Sequence, residues 1–380
     1  MSEHTELQSP LHAAHAAAGA KFAPFGGWLM PVEYAGVRAE HAAVRTTVGL
    51  FDVSHLGTLL IRGPGVIAAL NELFTNDLGR IAVGEAQYTM LCDESGRVVD
   101  DLIVYLLPGA AAGSASASDG DVDEVLLIPN AANAGYVRDA VAEVVAPGTE
   151  VVDAHTDMAI IAVQGPASAE VLADLGVDGQ LDYMQVDRTT ISGVEIIRCR
   201  TGYTGERGYE LLVNSQDAVA VWNALLTAAQ AHGGMACGLG ARDTLRTEMG
   251  YPLHGQDLGG EIGPVEARLA WAVGWKKESF RGRQALLGHR ESDLTPRLHG
   301  LVLLDRGVPR PGMSVHLMPD GPTIGTVTSG TFSPTLRTGI ALALLDRTVV
   351  PDDEVVVNVR GRWLAARVSA LPLVQPHTRD

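Results

Sequence analysis

The last quarter of the chain limits most strongly what it can fold into. Beyond Arg281 the sequence breaks into short β-rich runs (HGLVLLD, MSVHLM, IGTVTSG, GIALALL, EVVVNV, WLAARVSAL) separated by regular turns. Strands that short and evenly spaced form a small antiparallel barrel or sandwich, because closure removes unpaired edges. Upstream the pattern differs: helical periodicity alternates with strand pairs, the mark of α+β units. At 380 residues the chain exceeds one ordinary hydrophobic core, so two or three domains are expected.

Along the chain, Ser9 to Gly19 reads as a helix, with Ser9 as N-cap and Pro10 at the first helical position. FAPFGGWLMPVEY, rich in Pro, Gly and aromatics, reads as an irregular packed loop. A helix follows over Val37–Val48, then the strand TLLIRG and a short helix over Gly65–Leu73. AQYTMLCDESGRVVDDLIVYLL has two β-rich runs around a polar turn, the pattern of a hairpin. The small, acidic stretch 108–124 reads as a flexible surface loop, followed by the strand EVLLIPN and a helix over 132–145. From Val151 a second unit repeats the order: strand AIIAVQGP, helix SAEVLADL, strand pair VEIIRCRTGYTGERGYELLVN, helix DAVAVWNALLTAAQAHG. The echo between residues 60–145 and 165–230 hints at duplicated α+β units.

A formal net charge of −17 argues against a nucleic-acid surface, which needs clustered Lys and Arg, while leaving room for a local basic pocket. Cys92, Cys199 and Cys237 are far apart and form no CxxC, so they read as buried thiols in a reducing compartment. The N-terminus lacks a signal-peptide core, and nowhere do eighteen apolar residues run without a charge. The expectation is a cytoplasmic protein with no membrane span. His12, His15, His41 and His55 make no metal-ligand set, and no metal is expected.

Three polar groups stand out. Asp100 and Asp101 are neighbours in a strand and so point to opposite faces: one to solvent, the other to the interior or a cleft. An inward carboxylate needs a partner or a function, and a strand-start acid closing the hairpin turn is the plainer alternative. RTGYTGERGYE has glycines at three-residue spacing but is followed by a strand, which disfavours a phosphate cradle. It reads as a tight hairpin with Glu206 exposed and Glu210 on the strand; a tyrosine and a carboxylate beside such a turn could also hold a flat heterocycle. In GLGARDTLRTEMGYPLHGQD, Arg242 and Arg246 share a helical face, which fits either an anionic partner or pairing with Asp243 or Glu248.

These segments, taken in order, resemble the glycine cleavage T-protein family over nearly the whole chain. The matching pieces are AGAKFAPFGGWLMPVEY, FDVSHLG, TND at 75–77, QYTMLCDESGRVVDDLIVY, NAAN at 130–133, QGP at 164–166, RTGYTGERGYE, GLGARDTLRTEMGYPLHGQD and TSGTFSPTLRTGIALALL. The resemblance implies an α+β fold of three domains in a ring, two of them related, with a C-terminal antiparallel β-barrel. The domains would span 1–55 plus 151–275, 56–150, and 285–380. It implies an aminomethyltransferase that moves the methylene carbon from the aminomethyl-dihydrolipoyl arm of H-protein to tetrahydrofolate, releasing ammonia. The P- and L-proteins of the same system would be indirect partners. Asp101 matches the family's catalytic aspartate, Glu210 its pterin-holding carboxylate, and Arg242 its binding arginine; Tyr88, Ile128, Asn130 and Tyr203 match lining positions.

Departures are Leu56 where Met is usual, Arg281 in ESFRGR, which puts local packing in doubt, and a C-terminus without its usual aromatic. Relatives on the same scaffold define the alternatives: a folate-dependent demethylase of a small methylated compound, or a non-catalytic folate-binding module.

Overall fold

The structure is a computed structural model that describes residues 6–108, 124–292 and 295–380. The acidic stretch read as a flexible loop lies, apart from its end residues, outside the described residues. Glu124 at its end is not part of a loop: it opens a strand and pairs, nearly buried, with Arg62 at 2.7 Å and with Arg188.

Two sheets share one wiring. The first joins, in spatial order, Ala86–Cys92, Val98–Leu106, Glu124–Ile128, Leu59–Arg62 and Glu150–Asp153. The second joins Val186–Ile191, Val194–Cys199, Gly208–Asn214, Met158–Gln164, Gly49–Asp52 and Met235–Ala236. In each, the first strand of the unit in sequence is flanked by the strand that follows the hairpin, and a helix follows that first strand. The second sheet differs by accepting Gly49–Asp52 from upstream between its first and last strands. The two α+β units are thus related, and the faint echo in the sequence is a real topological repeat.

The units are not independent. One buried cluster draws Val44, Phe51, Ile160 and Leu212 from one side, Tyr105 and Leu126 from the other, and Ala241 and Leu245 from the helix Leu239–Met249. Residues 258–286 cover the far face of the first sheet, where Leu258, Leu269 and Phe280 pack on Met90, Cys92 and Val98. All three cysteines are buried and unpaired by disulfides. The expected barrel is present: six strands between Arg297 and Ser369 close on themselves, every neighbouring pair antiparallel. No helix among the described residues is long and apolar enough to cross a membrane.

The N-terminus departs from expectation. Its helix is only His12–Ala17 with Leu11 at the cap, although Ser9 Oγ still accepts the Leu11 N–H at 3.1 Å. FAPFGGWLMPVEY is not an irregular loop but an antiparallel hairpin, Lys21–Phe25 with Trp28–Glu33. Gly26 and Gly27 both have positive φ, 57° and 86°, the requirement of a type I′ turn, so the glycines that suggested irregularity make the hairpin possible. This hairpin packs on the helix Leu239–Met249, where a Cβ on Gly238 would lie 2.1 Å from the Val32 carbonyl oxygen.

That helix is also tied to the barrel by a buried ion cluster. Glu248 receives Arg45 Nη2 at 2.7 Å and Thr335 Oγ1 at 3.0 Å, and it meets Ser333 of the barrel and His41 at 3.4 Å. Burial opposes ionisation of Glu248, but the His41 hydrogen bond and the charges of His41 and Arg45 prevail and bring its pKa from 4.5 down to about 2. With the folded carboxyl below its free value, the cluster contributes stability above about pH 4.5 that is lost as pH falls towards 2, on the order of 3 kcal/mol in full. Glu248→Gln is therefore expected to lower the urea midpoint at neutral pH and to flatten its fall below about pH 4.5. Parallel acid profiles for variant and wild type would show that the cluster does not govern acid stability.

Candidate active site

The strand Val98–Leu106 carries the two consecutive acids at its entry, opposite Met90 and Leu91 of the neighbouring strand. They do point to opposite faces: Asp100 into the interior, and Asp101, its side chain 13% exposed, into a cavity. Asp100 is fully buried and accepts Asn130 N at 3.0 Å, Asn130 Nδ2 at 2.9 Å and Asn133 Nδ2 at 2.7 Å. Asp101 faces a cavity and accepts Tyr88 OH at 2.9 Å, Asn130 Nδ2 at 3.0 Å and His254 Nδ1 at 3.2 Å. Burial, reinforced by the Asp101 charge, pushes the Asp100 carboxyl up to about 7 against the opposing pull of its asparagine donors. Neither acid simply closes the hairpin turn, a task that falls to Asp93, whose Oδ1 accepts Ser95 N and Arg97 N, both at 2.9 Å.

The cavity, about 280 Å³, lies where the two sheets, the helix Leu239–Met249 and the N-terminal hairpin meet. Every residue that the family resemblance matched to a site position lines it: Tyr88, Asp101, Ile128, Asn130, Tyr203, Glu210 and Arg242. Glu210 sits across from Cys199 in the second sheet, its Oε2 taking the Thr201 hydroxyl at 2.7 Å and its Oε1 lying 4.0 Å from Arg242 Nη2. The Arg242 guanidinium lies over the Tyr203 ring, 4.9 Å from its centroid. The Tyr203 hydroxyl donates to the Pro252 carbonyl. Leu56, the departure from the usual Met, is also part of the wall.

The two arginines of the helix part company. Arg246 is held by Asp243 and Asp257, each at 2.7 Å, and by Ser329 at 2.9 Å, the structural pairing that the sequence left open. Arg242 keeps a buried Nη1 without a hydrogen-bond partner among the described residues, and so does His55 Nδ1 on the same wall. Burial, then the Arg242 charge, brings the His55 pKa down to about 3, so this ring is neutral. Two buried, unspent polar atoms on one cavity wall are what a polar ligand would satisfy.

The glycine turn 200–208 forms the hairpin expected of it, but Glu206 is buried rather than exposed. It pairs with Arg45 at 2.8 Å and lies 3.3 Å from His377. No local pattern signals this pairing, since Arg45 and His377 are distant from Glu206 in the chain. The C-terminal segment, lacking its usual aromatic, lies against the turn through His377 N to the Gly205 oxygen at 2.7 Å, and Arg379 covers the Tyr183 ring. Arg281 makes a peripheral 3.5 Å ion pair with Glu143. Sequence reasoning also passed over Gln164, Asn133, Trp271 and His254. Trp271, largely exposed, stacks on Tyr88 with centroids 5.6 Å apart at the cavity mouth. Asn133 carried a readable signal, its three-residue spacing from Asn130, which lets both amides reach Asp100.

Among the described residues, one group has metal-type ligand atoms within 4.8 Å of one another: Asp100, Asp101 and His254. Both carboxylates, however, are met by N–H and O–H donors, which take up the lone pairs that a cation would use.

Curated proteins similar to the chain include an aminomethyltransferase of Parafrankia sp., 54% identical with 97% of this chain and 96% of the relative covered. Another is an aminomethyltransferase of Mycobacterium tuberculosis, 50% identical over the full length of both. The crystal structure of glycine cleavage system aminomethyltransferase T from Bartonella henselae superposes with a TM-score of 0.88 at 32% identity, covering 99% of this chain and all of that one. The class is therefore an enzyme, an aminomethyltransferase. Family models for the GCVT N-terminal domain match residues 11–277, and those for the glycine cleavage T-protein C-terminal barrel domain match 297–375. The chain belongs to the glycine cleavage T-protein family.

Gln164 anchors the wall that carries Tyr203 and Glu210: its amide donates to the Thr201 and Tyr209 carbonyls at 3.1 and 3.2 Å and accepts the Thr204 hydroxyl at 2.8 Å. Gln164→Ala removes all three contacts at a buried site, a loss of about 2–3 kcal/mol. Hydrogen exchange should accelerate across residues 201–209 while the barrel strands stay unchanged; equal protection in variant and wild type would show that the turn holds itself.

Proposed function

We propose that this enzyme transfers the methylene carbon of the aminomethyl-dihydrolipoyl arm of H-protein to tetrahydrofolate. The products are ammonia, 5,10-methylenetetrahydrofolate and the reduced arm. The observation that supports it best is a single cavity with Asp101 on one wall and Glu210, backed by Arg242, on another. A carboxylate with two free acceptor directions suits the adjacent N–H donors of a pterin, and the Tyr203 and Tyr88 rings offer flat apolar surfaces. The Arg242 guanidinium, over the Tyr203 ring and 4.0 Å from Glu210, gives that carboxylate a cationic neighbour. Asp101, fixed by Tyr88 and Asn130, is then placed to orient the folate nitrogens and accept a proton as the aminomethyl carbon is attacked.

On this reading Asp101 is catalytic, and Tyr88, Ile128, Asn130, Tyr203, Glu210 and Arg242 bind folate. No metal takes part. The enzyme works in the cytoplasm, H-protein docks at the rim of the cavity, and the P- and L-proteins act on the same carrier before and after. The division into units 1–55 plus 151–275, 56–150 and 285–380 belongs to the same reading. It is supported by the separate sheets, but the strand Glu150–Asp153 crosses its 150/151 boundary, residues 258–275 pack on the sheet of the 56–150 unit, and the first two units share a core.

The test is single-turnover formation of methylenetetrahydrofolate from aminomethyl-loaded H-protein. Asp101→Asn should slow it about 100-fold or more while folate binding is retained, the usual scale for losing a general acid–base group. Wild-type enzyme that binds folate but forms no product would overturn the reading in favour of demethylation or simple folate binding.

A further inference from the structure

His254 takes no part in the site as read so far, yet it has the geometry of a working group. It lies in the segment after the helix Leu239–Met249, its side chain 18% exposed and on the cavity wall. Nδ1 is 3.2 Å from Asp101 Oδ1 and 4.0 Å from Asp100 Oδ1. Its placement is enforced from behind. The Leu253 N–H is taken by Asp257 at 2.9 Å, Asp257 is fixed by Arg246 and Ser329, each at 2.7 Å, and the Gly255 N–H reaches the Leu258 carbonyl at 2.7 Å. The arginine that does not face Glu210 therefore holds the segment that aims His254 at Asp101.

The chemistry supplies a need for it. In the proposed transfer, the carbon's bonds to nitrogen and sulfur in the aminomethyl thioether break, and bonds to folate N5 and N10 form. Folate gives up two protons, one from each nitrogen. One ends on the leaving amine to make ammonia and the other on the leaving sulfur to make the thiol. Two proton movements pass through a cavity in which Asp101 can hold one proton at a time. A second carrier that touches Asp101 without occupying the space in front of it lets the first proton be set aside and returned.

We propose that His254 is a positioning residue of this kind, which through its hydrogen bond to Asp101 stores and returns the proton that Asp101 takes from the folate. The inference rests on the aminomethyl-transfer reading above. The titratable groups around it are Asp100 and Asp101 from the strand Val98–Leu106, Tyr88 from the adjoining strand and Tyr203 from the glycine turn. Burial alone would lower the His254 pKa, but the Asp101 hydrogen bond and the charges of Asp101 and Asp100 outweigh it and leave it raised. An imidazole touching Asp101 at 3.2 Å can both donate a proton to that carboxylate and take one from it.

The experiment compares wild type, His254→Asn and His254→Gln in single turnover with aminomethyl-loaded H-protein from about pH 6 to about 9, the range in which an imidazole titrates. Folate affinity and melting temperature are measured alongside. Asn sets an amide nitrogen near the Nδ1 position, so it can donate to Asp101 but cannot titrate. The expected result is folate affinity within about twofold of wild type, with a rate at least about tenfold lower in both variants. The limb of the pH–rate profile due to the imidazole should vanish in both. Wild-type rate and profile in the Asn variant would show that a fixed hydrogen bond suffices and would overturn the proposal. So would an unchanged profile in both variants, or a loss confined to folate affinity. Failure of the wild type itself to form product would instead overturn the aminomethyl-transfer reading, so the two failures are distinct.

Discussion

One amide, Asn130, holds two consecutive carboxylates at once, and the architecture of the site follows from it. Its backbone N–H and Nδ2 reach Asp100, while the same Nδ2 reaches Asp101 Oδ1 at 3.0 Å. Neighbouring strand residues cannot share a face, so only a group at the edge of the sheet, where the chain turns after Glu124–Ile128, can touch both. Two like charges so close cannot both be stable without donors, and burial makes the inner one give way: Asp100 is the acid that keeps a proton near neutrality. Asp101 is thereby left as the acid that faces the cavity.

The duplicated wiring explains where that cavity lies. Two related units, each with a hairpin next to its central strands, meet across a common core built around Phe51, Tyr105 and Ile160. The hairpin of one unit provides Asp101 and Tyr88, while the strands and glycine turn of the other provide Glu210 and Tyr203. The barrel adds little to the walls of this cavity. Its contribution is mechanical: Ser333 and Thr335 close the ion cluster on Glu248, and Ser329 joins the Arg246–Asp257 group. Both contacts fall on the helix that carries Arg242, so the barrel fixes the orientation of a residue it does not touch.

Local order was legible in the sequence wherever a short-range rule governs it. The barrel strands, the Asp93–Arg97 turn and the helices after each Gly-Pro were visible as periodicity and turn chemistry. The N-terminal hairpin was misread because Gly-Gly between aromatic, proline-rich runs is compatible with both a loop and a type I′ turn, and only pairing across the turn decides. Residue spacing alone favoured structural roles for Asp101, Glu210 and Arg242; the family resemblance marked them, and the structure then brought them into one cavity. Glu206, expected to be exposed, is buried with its partners, Arg45 and His377, which stand 161 and 171 residues away in the chain. His254 stands 153 residues from the acid it contacts, and no local pattern encodes such a meeting.

Charge completes the argument about what the cavity can accept. The protein carries a formal −17, and the cavity's own acids, Asp101 and Glu210 with Asp100 behind them, face one arginine among the described lining residues, Arg242, which lies 4.0 Å from Glu210. Such an interior disfavours an anionic reacting centre and favours donors and cations. A pterin presenting N–H groups and an aminomethyl group that becomes cationic on protonation both meet that condition. A thiolate leaving group does not, since it would build negative charge beside Asp101. On the proposed transfer, a departing sulfur would therefore receive its proton as the bond breaks, and the cluster of Asp100, Asp101 and His254 is the group that reading assigns to supply it.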